Sequence, residues 1–140
     1  MGRAAEVIAE PRPWDAEAES WLAKLCEDEP GGLAELASEV RAGRCDHWAI
    51  FEDGARVGSF VTRIDTMAEG ARDFVITHAA ARAATPIVES LLPSMEFVAW
   101  SLGCSRMRLH TSRPGMAEKL RRQGYGLPET VHVKRRPDEF

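Results

Sequence analysis

Between His47 and Ile64 the apolar pattern switches to a period of two, and the run doubles back at Asp53-Gly54. Period two places alternate side chains on opposite faces of a strand, and Asp-Gly accepts positive φ at both central turn positions. His47–Glu52 and Arg56–Ile64 therefore predict a β-hairpin. A hairpin alone is marginal in water, so the rest of the chain must extend and cover it.

The flanking sequence carries helical periods. Upstream, Trp14, Ala18, Trp21, Leu22 and Leu25 fall on one helical face, with Asp15 and Glu17 in the first turn near the positive helix end. Glu29-Pro30-Gly31-Gly32 stops that helix. Leu33, Leu36, Ala37 and Val40 form the stripe of a second one, with Gly43 as its left-handed stop. Glu6–Ala9 predicts a short strand ahead of both.

Downstream, Arg72–His78 predicts a strand with Phe74, Ile76 and His78 on one side. Thr85-Pro86 predicts an N-cap and first helical residue, opening a helix that carries Ile87, Val88, Leu91, Leu92, Met95, Val98 and Leu102. Pro93 inside it predicts a kink or restart. Ser105–Thr111 predicts a strand with Met107 and Leu109 on one face and Arg106, Arg108 and His110 on the other. A helix over Pro114–Gln123, closed by Gly124, and a strand over Thr130–Arg135 complete the chain. The expectation is an α/β fold, a mixed central sheet flanked by helices, with residues 1–140 as one domain.

Charge and cysteine usage narrow the function classes. Residues 1–55 hold 13 acidic and 5 basic side chains, whereas residues 56–140 hold 9 acidic and 13 basic. The basic half could meet a phosphate, a nucleic acid or an acidic protein surface, or it could pair with the acidic half. Few aromatics accompany the charges, so a base-stacking platform, and with it a nucleic-acid partner, is not expected. Arg106 and Arg108, alternating on a strand face, are candidate contacts for a protein partner or a second copy of the chain. An edge strand left open at the end of the sheet would serve the same purpose. Trp14, Trp21 and Trp48 fit core positions, and Trp100 lies off its helix stripe as a candidate interface anchor.

No run of about 20 apolar residues predicts a membrane helix, and residues 1–10 lack the apolar segment of a signal peptide. Cys26, Cys45 and Cys104 are odd in number and widely spaced, which argues against a disulfide framework and for a reducing compartment such as a bacterial cytoplasm. Cys45-x-His47 with Cys104 matches no structural zinc spacing, so no metal is expected.

The second half has a further pattern. A strand over Asp73–His78 is followed by a helix ending in Leu102-Gly103-Cys104, a strand over Arg106–His110 and a helix ending in Gln123-Gly124-Tyr125. In this order the chain resembles the GCN5-related N-acetyltransferase (GNAT) fold over nearly its whole length. The resemblance implies transfer of an acetyl group from acetyl-CoA to an amine. It also implies a loop of Gln/Arg-x-x-Gly-x-Gly/Ala whose bare amides hold the cofactor diphosphate at a helix N-terminus.

The matching segment is Arg82-Ala83-Ala84-Thr85-Pro86-Ile87. Arg82 fits, and the amides of Ala84 and Thr85 are the implied cofactor contacts, with Arg113 near the position of a further one. Thr85 and Ile87 stand where the family has small residues, and Pro86 has no N–H to give. Each missing charge-assisted bond is worth roughly 1.5–3 kcal/mol. A plain N-capped helix start accounts for the same residues. The family tyrosine that protonates the leaving thiolate corresponds to Leu120, which carries no proton to transfer. For a general base, Glu52, Asp65 and Asp73 are available. His78, at the end of its strand with a side chain suited to proton transfer at neutral pH, is the better candidate.

Two function classes follow. In the first the chain is a GNAT-like binding or structural component with no cofactor. Short proteins with such a loop resemble those encoded by phages and prophages, some of them virion parts. In the second it is an acetyl-CoA-dependent N-acetyltransferase with an atypical loop.

Overall fold

The computed structural model describes residues 6–110, 116–125, 131–135 and 137. Its strands are β1 (Val7–Pro11), β2 (Asp46–Glu52), β3 (Ala55–Thr66), β4 (Arg72–Ala81), β5 (Arg106–His110) and β6 (Val131–Arg135). Its helices are α1 (Ala16–Leu22), α2 (Gly32–Arg41), α3 (Ile87–Ser101) and α4 (Met116–Arg122), with a 3-10 turn over Ala23–Cys26. The six strands hydrogen-bond in chain order. β1–β2, β2–β3 and β5–β6 are antiparallel and β4–β5 is parallel, so the sheet is mixed. The expected order of elements is the observed one.

The chain divides into two compact units. One comprises residues 1–62 and 78–87, the other residues 63–77 and 88–140.

In the first unit Leu22, Cys26, Leu36, Cys45 and Val61 form a buried cluster, with Trp14, Trp21, Leu33, Val40 and Ala80 packed against it. Asp15 is the N-cap of α1 rather than a first-turn residue: its backbone is extended and its side chain accepts from Ala18 N at 2.7 Å. The first helix also ends sooner than its period suggested. Tightening to a 3-10 turn after Leu22 swings Leu25 out to 36% exposure and brings Cys26 inward. The β2–β3 turn has φ of 48° at Asp53 and 86° at Gly54, as the hairpin reading required.

A bulge follows in the ladder, where Ile50 faces Gly58 and Phe51 faces Arg56. A Cβ at Gly58 would lie 2.4 Å from the Ala80 carbonyl oxygen, so only glycine fits there. Trp48 stacks on Phe60 with centroids 5.6 Å apart and donates to Thr62 Oγ1 at 2.9 Å.

In the second unit the buried residues include Asp73, Phe74, Val75 and Ile76 of β4, Leu91, Leu92, Met95 and Ala99 of α3, Cys104, Met107 of β5, and Leu120 and Tyr125. The parallel ladder pairs Asp73 with Arg106 and runs to Ile76 with Leu109. α3 is continuous through Pro93, where a kink or restart was expected. Pro93 and Glu89, whose carbonyl loses its donor, are both exposed, so that carbonyl can be solvated.

Candidate functional site

The segment Arg82–Ile87 links β4 to α3. The helix begins at Ile87, so Pro86 precedes it instead of opening it and Thr85 stands one residue further out. Three backbone amides of the segment, those of Arg82, Ala84 and Thr85, have acceptors. Arg82 N donates to the Val57 carbonyl at 2.8 Å. Ala84 N donates to Glu52 Oε1 at 3.2 Å and Thr85 N to Glu52 Oε2 at 2.8 Å.

Glu52 is the last residue of β2, beside the tight turn, and its carboxylate spans the two amides like a bound anion. The Thr85 side chain, followed by the Thr85 and Ala84 amides, holds its carboxyl below the usual carboxylate range. Arg82 and Ala84 are exposed and Thr85 is half-buried.

His78 lies within β4, three residues before its end, because the strand runs on to Ala81. Its Nε2 meets both oxygens of Glu29, at 2.9 and 3.0 Å. Cys26 stands beside the pair. Burial, then the neighbouring Glu29 charge, pushes its thiol up to about 11.

The remaining candidates fall in the second unit. Asp73 is fully buried and is gripped by Arg106 through Nε at 2.8 Å and Nη2 at 2.6 Å. Arg108 Nη2 pairs with Asp65, which also accepts from Arg63 Nε at 2.9 Å. Arg108 Nε lies 3.1 Å from Asp73 Oδ2, close enough for attraction but off hydrogen-bond alignment. The two arginines singled out as partner contacts thus sit in an ion-pair network, with side chains 26% and 21% exposed. The same network holds two of the carboxylates considered as bases.

Leu120 is fully buried. Tyr125 is packed at 3% exposure, and its hydroxyl donates to Glu96 at 2.9 Å. Burial and the Glu96 charge push the phenol pKa up. Trp100 is half-buried. Arg113 lies outside the described residues.

One cluster went unread in the sequence. His47 is 2% exposed; Nδ1 lies 3.0 Å from the Arg12 carbonyl, and Nε2 lies 3.1 Å from Ser59 Oγ. A carbonyl only accepts, so Nδ1 carries the proton and Nε2 accepts from the serine. Arg56 Nη2 donates to the same serine oxygen at 2.7 Å and Nη1 to Asp15 at 2.7 Å. Burial holds the His47 pKa below its usual value, consistent with a neutral ring. This Ser–His contact has the spacing of a nucleophile and base, but Ser59 is fully buried and takes a guanidinium bond, so it braces β2 on β3. Its partners, 12 and 35 residues away, left no local signal.

No protein-family model matches the sequence, and no curated protein matches it. Solved structures do. A ribosomal-protein-alanine N-acetyltransferase from Brucella melitensis biovar Abortus superposes with a TM-score of 0.68 at 17% identity, covering 89% of this chain and 94% of that one. A Desulfovibrio desulfuricans protein assigned to the GNAT acetyltransferase family gives 0.67 at 13% identity, over 92% of this chain and 98% of that one. A chain of the NatC complex, bound to Gag peptide and CoA, gives 0.67 at 11% identity, over 94% and 99%. At these identities the likeness speaks for the fold, and the fold is that of the GNAT acyltransferases.

Proposed function

We propose that this chain is a GNAT-fold protein that does not hold acetyl-CoA and works as a non-catalytic binding or structural component. The observation that carries the reading is Glu52 on the amides of Ala84 and Thr85. A diphosphate would have to displace a carboxylate that already satisfies those donors, and it would then face that charge at close range. Pro86 offers no amide, the Arg82 amide is engaged by Val57, and Leu120 places buried hydrocarbon where the family has its proton donor. These residues do not fit the cofactor. The role fits a protein partner or a second copy of the chain. The cytoplasmic setting, and the phage or virion setting suggested by the resemblance, belong to the same reading. Among the described residues no helix is long and apolar enough to cross a membrane.

A second reading, an acetyl-CoA-dependent N-acetyltransferase with an atypical loop, draws on two observations. The amides of Ala84 and Thr85 do converge on one anion, and the NatC chain of similar fold was solved with CoA. Thermal unfolding with acetyl-CoA separates the two. A ligand at 100 times its Kd stabilises by about 2.7 kcal/mol, a rise in Tm of roughly 8 °C for a chain of this size. The first reading expects no rise in the wild type or in Glu52→Ala. A rise in the wild type would overturn the first reading and leave acetyl transfer to be measured. A rise confined to Glu52→Ala would make the carboxylate the sole barrier and show Pro86 to be tolerated.

A further inference from the structure

Cys26, Glu29 and His78 have no part in the reading above. Cys26 closes the 3-10 turn, and Glu29 follows three residues later, fixed to it by Glu29 N donating to the Cys26 carbonyl at 3.2 Å. His78 arrives from β4, 49 residues further along the chain than Glu29. One donor atom from each, the Cys26 Sγ, a Glu29 carboxylate oxygen and a His78 ring nitrogen, lie within 4.8 Å of one another.

We propose that these three side chains form a binding site for a divalent transition metal of the zinc class. A thiol, an imidazole and a carboxylate are the three donor types such an ion takes, and a sulfur donor argues against magnesium or calcium. Metal bonds of about 2.0–2.3 Å at tetrahedral angles put neighbouring donors roughly 3.3–3.8 Å apart. The His78–Glu29 contact of 2.9–3.0 Å needs to open by only a few tenths of an ångström, and no donor pair, all lying within 4.8 Å, needs to close by more than about one.

The placement is uneven in a useful way. Cys26 is 2% exposed and the His78 side chain 15%, whereas the Glu29 side chain is 45% exposed. Two donors are therefore held by packing, and the third is a part-exposed carboxylate on the solvent side of the cluster. Three protein donors leave a fourth position for water, the arrangement of an open site. No metal was expected from the sequence, because its cysteines and histidines show no ligand spacing; folding, not spacing, brings these donors together.

Cobalt(II) provides the test, since a thiolate ligand gives a charge-transfer band in the near ultraviolet and tetrahedral coordination gives intense visible bands. The full chain, stripped with a chelator, is titrated with cobalt(II) and back-titrated with zinc(II). The proposal expects both band sets, their loss on adding zinc, loss of the charge-transfer band in Cys26→Ser, and at least about ten-fold weaker cobalt binding in Glu29→Gln and in His78→Ala. Cys26 is in the core, so Cys26→Ser must be checked for folding by circular dichroism. The exposed Glu29→Gln decides the matter if it fails. Absence of the thiolate band in the wild type overturns the proposal, and so does unchanged affinity in Glu29→Gln and His78→Ala.

Discussion

Glu52 in the first unit and Asp73 in the second are both carboxylates held by several donors, and they differ in almost everything else. Glu52 is a strand-end residue whose donors are backbone amides and a neighbouring threonine. Asp73 is fully buried, and its donors are arginine side chains on the adjacent strand. A half-buried anion on backbone amides can be exchanged for another anion or for water at modest cost. A buried anion between guanidinium groups cannot leave without stranding their charge. Two acids that look alike in the sequence therefore do different work: one fills a loop, the other fastens β4 to β5.

The most disruptive way to probe this contrast is Asp73→Ala, which leaves Arg106 and Arg108 facing each other without their shared anion. Because both arginines keep some exposure, we expect a loss of about 3 kcal/mol, at the low end for broken buried pairs. Urea unfolding measures it, and a loss below about 1 kcal/mol would show that Asp73 is not a fastener. Arg108→Ala should cost less, about 1 kcal/mol, since Arg106 retains its two bonds to Asp73. Equal losses for the two substitutions would place the energy in Arg108 and Asp65 instead.

The smallest effect belongs to Glu52 and shows as a pH dependence. Its carboxyl is held below its usual value in the fold, so the unfolded chain binds the proton more readily. The stabilisation is complete above the unfolded value of about 4.3 and is lost as pH falls through the lower folded value. Glu52→Gln, which cannot ionise, should flatten Tm against pH in that range and change little at pH 7. A wild-type profile identical to that of Glu52→Gln would mean that the contact to the loop carries no free energy.

Local signals account for what the sequence revealed. Period changes gave the element order, Asp53-Gly54 gave the hairpin, and alternation put Arg106 and Arg108 on one face of β5. Boundaries slipped where neighbouring choices nearly tie. Asp15 caps α1 from outside instead of sitting in its first turn, and Pro86 stands just ahead of α3. The 3-10 turn at Ala23–Cys26 leaves no mark on the apolar period because Leu25 could have faced inward in a longer helix. The candidate sites were illegible for a different reason. Glu52 reaches Thr85 across 33 residues, Glu29 reaches His78 across 49, and Arg106 finds Asp73 across 33. The Arg106–Asp73 pairing is set by strand register and the other two by where loops fold back onto strands, and both are properties of the folded chain.

Gly58 has a bearing on any attempt to rebuild the anion loop. The missing side chain lets β3 come within touching distance of the Ala80 carbonyl, and the neighbouring Val57 carbonyl anchors the Arg82 amide at the loop's first residue. A methyl group at position 58 would wedge these backbones apart and carry the loop away from its acid. Redesign of the segment from 82 to 87 is therefore constrained by a residue two dozen positions upstream, outside the loop itself.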